Sequence, residues 1–296
     1  MRKAFLTLAI LFIFVVTSFA QAGLDKRFSL SLTGGFALAQ MDDTSTYRLT
    51  WDYYAREITE DNSFNIKAES GVSFSGFFSF LFSPNFGLQL GFGYLQPTVN
   101  TETDFRLTYN DTTERVTWAG DGKLNVIPLS LNLLGRYQKG KLGLFASGGA
   151  TLFMNTFSAN TFSGIAIAAR TSWFYCYYVW PYIYCYYLYT YYIDALKIPI
   201  RINEESWTAF GGNIGGGIDY RFTESVGLIL EARYFFCPTK EFEWKWQPGV
   251  YDSVIYEYFT GVNFTQAYAD LYEEDTGAVT VNPSFFQFSI GLIIFF

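Results

Sequence analysis

No histidine occurs in the 296 residues, so the side chain that most often serves as general base near neutral pH is missing. So is the commonest nitrogen ligand for zinc, copper or iron. What remains is a set of charges with a shared parity. Side chains of an extended chain alternate between two faces, and Arg136, Asp219, Arg221, Glu231 and Arg233 fall on the same face as Gln89, Asn132, Asn213 and Gln287. Charges gathered this way fit a network of mutually satisfied polar groups in a confined space, or the lining of a narrow conduit. A carboxylate pair or a lysine-based site needs no histidine, but no spacing singles one out. The chain is therefore expected not to be an enzyme, and no cofactor or metal ligand set emerges. Acidic clusters at Asp42-Asp43, Glu60-Asp61 and Glu273-Glu274-Asp275 read as solvated loop charge rather than a calcium site. The glycines between Gly211 and Gly217 lack the following helix that a phosphate loop requires.

Three cysteines are an odd number for an oxidising compartment. Cys176 and Cys185 lie symmetrically about Trp180-Pro181 in WFYCYYVWPYIYCYY. A tight hairpin there pairs Val179 with Tyr182 and Cys176 with Cys185. The cysteines then form a non-hydrogen-bonded pair with α-carbons about 4.5 Å apart, a separation compatible with a disulfide. Cys237 is left unpaired. The surrounding stretch, Trp173 to Tyr192, puts aromatic rings on both faces of any strand drawn through it. One reading, the preferred one, makes it barrel wall or an interfacial aromatic girdle, at the extreme an extra hairpin giving ten strands. The other makes it an exposed hairpin that binds a partner through Trp173, Tyr175, Tyr178, Trp180, Tyr182 and Tyr187.

The elements that must position these residues are strands. Phe and Tyr total 55 and Pro only 8, a profile of long aromatic strands rather than helices. Arg2 and Lys3 precede an apolar run from Ala4 to Val16, and Ser18, Ala20 and Ala22 follow, which reads as a signal peptide over residues 1–22 cleaved after Ala20 or Ala22. One domain then spans residues 23–296. Period-two alternation marks eight segments long enough to cross a bilayer as tilted strands: 28–39, 71–82, 86–95, 124–137, 142–154, 208–222, 226–236 and the C-terminal run. In the last, Phe286, Phe288, Ile290, Leu292, Ile294 and Phe296 share one greasy face, while the other is mixed, with Phe285, Gln287, Ser289, Gly291, Ile293 and Phe295. If the turn at Thr223 to Ser225 sets the register, Gly217 faces Glu231 and Gly215 faces Arg233, leaving room for the long side chains.

The connections alternate between tight turns, at 83–85, 138–141 and 223–225, and long excursions over 40–70, 96–123, 155–207 and 237–283. Such lopsidedness belongs to outer-membrane barrels, with short periplasmic turns and long outward loops. The second excursion reads as two strands continuing to a turn near Asn110-Asp111. The four excursions hold 23 acidic and 11 basic residues, the rest of the mature chain 4 and 7. An acidic rim repels polyanions at range, so nucleic acid is excluded as a partner.

Together these features resemble the small outer-membrane β-barrels of the OmpA and OmpX type. IPLSLNLLGRY (127–137) and LGLFASGGATLF (142–153) resemble the "outer membrane protein beta-barrel domain" group of Gram-negative bacteria. The resemblance implies an up-and-down antiparallel barrel of eight strands, with ten as the alternative, in outer-membrane lipid. It further implies that the barrel-assembly machinery reads Phe288, Leu292, Ile294 and Phe296. The expected role is a structural or surface-interaction protein with an unknown extracellular partner, or alternatively a narrow porin-like channel for small or hydrophobic solutes.

Overall fold

The computed structural model describes residues 27–52, 57–109, 112–179, 182–246 and 278–296. The signal-peptide segment, Asn110-Asp111, Trp180-Pro181 and Glu273-Glu274-Asp275 lie outside the described residues. Twelve strands follow in chain order: β1 (Phe28–Ala39), β2 (Asp42–Asp52), β3 (Glu57–Leu81), β4 (Phe86–Tyr109), β5 (Thr112–Lys139), β6 (Leu142–Val179), β7 (Tyr182–Arg221), β8 (Val226–Phe236), β9 (Lys240–Glu243), β10 (Lys245–Trp246), β11 (Ala278–Val281) and β12 (Phe285–Phe295). Eight of them close a ring in the order β1-β12-β8-β7-β6-β5-β4-β3, and β1 pairs back onto β3. All these pairings are antiparallel. The ring therefore has eight strands, not ten.

Tight turns at the foot of the ring carry recognisable local chemistry. The Ser83 hydroxyl accepts from the Phe86 amide at 3.0 Å, and the Thr223 hydroxyl accepts from Val226 at 3.0 Å; short hydroxyl side chains favour turns this way. Gly140, at φ 61°, takes the left-handed conformation that the hairpin between β5 and β6 needs and that glycine adopts without steric cost.

Over the lower part of the ring the outer face is oily and the inner face polar. Leu88, Leu90 and Phe92 on β4, and Leu129, Leu131 and Leu133 on β5, are exposed; Gln89, Ser130 and Asn132 are buried. Strands of 11 or 12 residues, tilted about 40°, rise roughly 30 Å, the thickness of a hydrocarbon core. Hydroxyls mark the upper edge of this band. Tyr94 donates to Gln96 and Asn125, each at 3.2 Å, and Tyr234 donates to Gln40 at 3.2 Å.

Above that edge the polarity inverts. On β4 the outward positions change from Phe92 and Tyr94 to Gln96, Asn100 and Glu102, while the inward ones become Leu95, Val99, Phe105 and Leu107. β3 makes the same change through a register shift between Ala68 and Gly71. The even-numbered Val72 and Phe74 face out below it, and the even-numbered Phe64 and Ile66 face in above it. With water outside, apolar side chains must turn inward. The result is a second core within the upper barrel, built from Phe64, Ile66, Leu124, Val126, Phe153, Phe157, Phe235, Trp244 and Phe285 among others.

Among the described residues the first three outward connections are thus largely strands rather than loops, which corrects the expectation for the first and third. β2 hairpins onto β3, β4 and β5 stay paired up to Tyr109↔Thr112, and β9 pairs with β11. β6 and β7 form the longest ladder, reaching Val179↔Tyr182.

The inversion predicts a position-dependent cost for one substitution. Leu131→Arg, in the middle of the lipid band, should lower stability by about 2–4 kcal/mol in urea unfolding from vesicles. Thr98→Arg, outward but above Tyr94, should change it by less than about 0.5 kcal/mol; equal costs at the two sites would contradict the assigned boundary.

Candidate functional site

Two places gather the residues singled out from the sequence: the lumen and the outermost hairpin. The five lumen charges divide into two clusters. In the middle of the barrel Arg233 is a hub. Its Nε donates to Glu231 Oε1 at 2.7 Å, one terminal nitrogen donates to Asn213, and the other donates to Ser147 Oγ at 2.7 Å and Gln89 Oε1 at 3.1 Å. Asn213 passes the network on to Asn132 at 2.7 Å and Thr151 at 2.8 Å. Asn132 donates to Gln89 at 3.1 Å, and Gln287 donates to Ser75. The guanidinium also stacks over the Phe77 ring at 4.4 Å, a cation–π contact strengthened by desolvation. Gly215 makes room: a Cβ there would lie 2.9 Å from Arg233 Cβ. The pairs Gly217↔Glu231 and Gly215↔Arg233 are those the turn count gives.

Nearer the periplasmic end, Arg136 donates to Asp219 at 2.7 Å. Arg136 and Arg221 both lie over the Phe295 ring, at 4.6 and 4.0 Å. Ile229 and Ile293 pack with Phe295 as a small apolar floor. The lumen is therefore layered: apolar floor, polar middle and apolar upper core. Sequence reading missed Phe295 as the platform and Ser147 and Thr151 as partners, although inward parity marks all three.

Cys176 and Cys185 are joined as a disulfide with α-carbons 4.1 Å apart. Cys237 is a free, buried cysteine, where Asn155 donates to its sulfur at 3.7 Å. The cysteine hairpin is neither wall nor girdle. β5 leaves β6 at Asn160, β10 reaches only Ile200 on β7 and Gly164 still bonds Asn62 on β3, so among the described residues the ladder beyond Gly164 is a two-stranded ribbon that pairs with no other strand. The reason is length: from Met154 at the lipid edge to Val179 the strand continues for about 80 Å. Tyr178 and Tyr182 are exposed. Trp173, Tyr175 and Tyr187 lie within the ribbon strands, and Trp180 lies outside the described residues. Phe288, Leu292 and Ile294 face lipid, and the Phe296 amide donates to Phe28 at 2.9 Å, tying the C-terminus to β1.

Among the described residues the rim carries ion pairs. Arg48 pairs with Asp61. Arg115 donates to Asp104 at 2.7 Å and Arg106 donates at 3.1 Å. The Arg115 hydrogen bond, with Arg106 assisting, holds the Asp104 carboxyl below its ordinary value against the opposing effect of partial burial. Among the described residues no group of His, Cys, Asp and Glu could hold a metal ion.

A closed antiparallel cylinder with an oily wall, a polar interior and short turns at one end defines an integral outer-membrane barrel. The model of the family described as outer membrane protein beta-barrel domain matches residues 8–289, and the chain belongs to that family. Among solved structures it is similar to the outer membrane protein OprG from Pseudomonas aeruginosa: 12% identity, TM-score 0.40, covering 90% of this chain and 95% of that one. It is also similar to the outer membrane protease OmpT from Escherichia coli, with 9% identity, TM-score 0.41 and coverage of 91% and 96%. A third is Ail, the attachment invasion locus protein of Yersinia pestis, with 9% identity, TM-score 0.31 and coverage of 90% and 97%. No curated protein sequence matches it.

Removing one member of the central cluster should cost more than removing the pair. Arg233→Leu strands Glu231 and should lower stability by about 3–5 kcal/mol, whereas Arg233→Leu with Glu231→Leu should recover a good part of that loss. The check is a double-mutant cycle on urea midpoints.

Proposed function

We propose that this protein is a surface-interaction protein of the outer membrane, in which the barrel is an anchor and the disulfide-pinned ribbon is the contact element. The observation that carries this reading is a coincidence of composition and position. β4 runs nine residues past Asn100 to its end at Tyr109, and nine residues along β6 from Asn160, at the same level of the ladder, is Ala169. The next residue is Arg170, and from Thr171 to Ile193 the chain carries no charge at all. Thirteen of those 23 residues are aromatic, ten of them tyrosine. Tyrosine offers large contact area at small entropic cost, which suits a binding surface. Among the described residues no third strand joins this pair, and a two-stranded ribbon builds no core of its own.

The layered lumen supports an anchor rather than a conduit, since an eight-stranded interior is filled by its own side chains. The missing histidine supports a non-enzymatic role. In biogenesis, the lipid-facing Phe288, Leu292 and Ile294 with Phe296 form the signal offered to the assembly machinery.

Deleting residues 171–193 should abolish the retention of expressing cells on surfaces coated with matrix protein, with glycan or with cells of the same strain. The heat-modifiable gel mobility of the barrel should persist. Unchanged retention on every surface would overturn this reading, as would steady single-channel currents from the full-length protein in planar bilayers.

A further inference from the structure

Resting on that reading, we infer that the partner of the ribbon is a second copy of the same ribbon, joined edge to edge across two facing membranes. An edge strand presents a row of unpaired N–H and C=O groups, and soluble proteins blunt such edges with charge, proline or bulges. Neither edge is blunted here. Among the described residues β6 beyond Gly164 and β7 before Lys197 pair only with each other, without a register shift. Residues 171–179 and 182–193 contain no charged residue, no proline and no glycine. Such segments, of high β-propensity and no charge, are those that pair with their own kind.

Symmetry then selects the arrangement. Two ribbons rising from one membrane, related by an axis along the membrane normal, bring identical strands together in parallel. Two ribbons meeting head-on, related by an axis in the plane between the membranes, bring β7 against β7 antiparallel, the better-bonded arrangement and a self-complementary two-fold contact.

Charge distribution agrees. Acidic residues dominate the lower outer hairpins, but the uncharged stretch begins where those hairpins end. Overlapping the tips leaves the two acidic rims tens of Å apart, against a screening length of about 8 Å at physiological salt. A lipid bilayer is a poorer occupant, because a two-stranded ribbon entering hydrocarbon would carry its unpaired edge groups with it.

The experiment uses the full-length mature protein in phosphatidylcholine vesicles of two colours. Protein-bearing vesicles should cluster with one another, raising the scattering size several-fold, and should leave protein-free vesicles unattached. Ile183 and Tyr184 are exposed on neighbouring positions of the β7 edge, at 67% and 49%. The double variant Ile183→Lys/Tyr184→Lys charges both ribbon faces and should abolish clustering, with heat-modifiable mobility confirming an intact barrel. In detergent, light scattering should give twice the protomer protein mass for the wild type and the protomer mass for the variant. A monomeric, non-clustering wild type overturns the inference, and so does a lysine variant that clusters equally. Recruitment of protein-free vesicles would show the occupant to be a bilayer and overturn it as well. If vesicles fail to cluster while cell retention still depends on residues 171–193, self-pairing falls and the surface-contact role stands.

Discussion

A peptide group inside hydrocarbon has no water to bond, so every backbone N–H and C=O in the lipid band must find a partner within the chain. For strands this forces a cylinder, and a cylinder closes only if the first strand meets both the third and the last. β1 does so along nearly its whole length, with Leu32 opposite Leu292 on one side and Gly76 on the other. The backbone bonds between Phe28 and Phe296 complete that seam. Once closed at eight strands, the interior is too narrow for bulk water, and each inward side chain must be satisfied by another. That is why Arg233 touches Glu231, Asn213, Ser147, Gln89 and Phe77 together: an incompletely paired guanidinium in this space would cost several kcal/mol.

Solvent outside decides which face is oily. In the lipid band the outer positions are leucine and phenylalanine because there is no penalty for showing them to acyl chains. A few residues higher the same ladder is in water, and Leu95, Val99 and Phe105 on β4 lie inside while Gln96, Asn100 and Glu102 lie outside. The upper part is thus a soluble-type β-barrel stacked on a membrane barrel through continuous strands. Its apolar core lies above the polar middle of the lumen, as the ring of Phe295 between two arginines lies below it. The two stacked cores are consequences of a single ladder crossing from one solvent to another.

That crossing also explains what could be read from the sequence. The bounds of β1 and β8 and the register of the β7–β8 hairpin are legible, because one greasy face is continuous there and short turns fix the pairing. For β3 to β7 the expected segments stop at Gly71, Leu95, Leu124, Met154 and Thr208, where the greasy face changes side. A reading for one continuous lipid-facing side sees the end of a strand at such a point. The structure sees the end of the lipid. On β3 the apolar residues keep even parity across the shift between Ala68 and Gly71 while passing from the outer face to the inner one, so the irregular step hides the change of face. The lumen charges were legible as a group for the same reason that the strands were. Their division into two clusters was not, because which carboxylate serves which arginine depends on height along the barrel axis, a quantity that parity alone does not supply.

The disulfide finds its place in the same logic. The lower outer hairpins lean on the upper core: Phe64 packs on Trp244, and Phe157 and Trp207 pack on Phe242. Beyond that core, among the described residues, β6 and β7 pair only with each other, and an isolated pair of strands in water is marginal at best. Linking Cys176 to Cys185, nine residues apart in sequence, removes loop-closure entropy from the open ribbon worth about 2.5 kcal/mol in the chain-entropy treatment. That is comparable with the burial of one large apolar side chain, and it replaces at the tip the core that the rest of the extension possesses. The covalent link sits three residues before the turn, where fraying would begin. It holds the pairing of β6 with β7 in one register there.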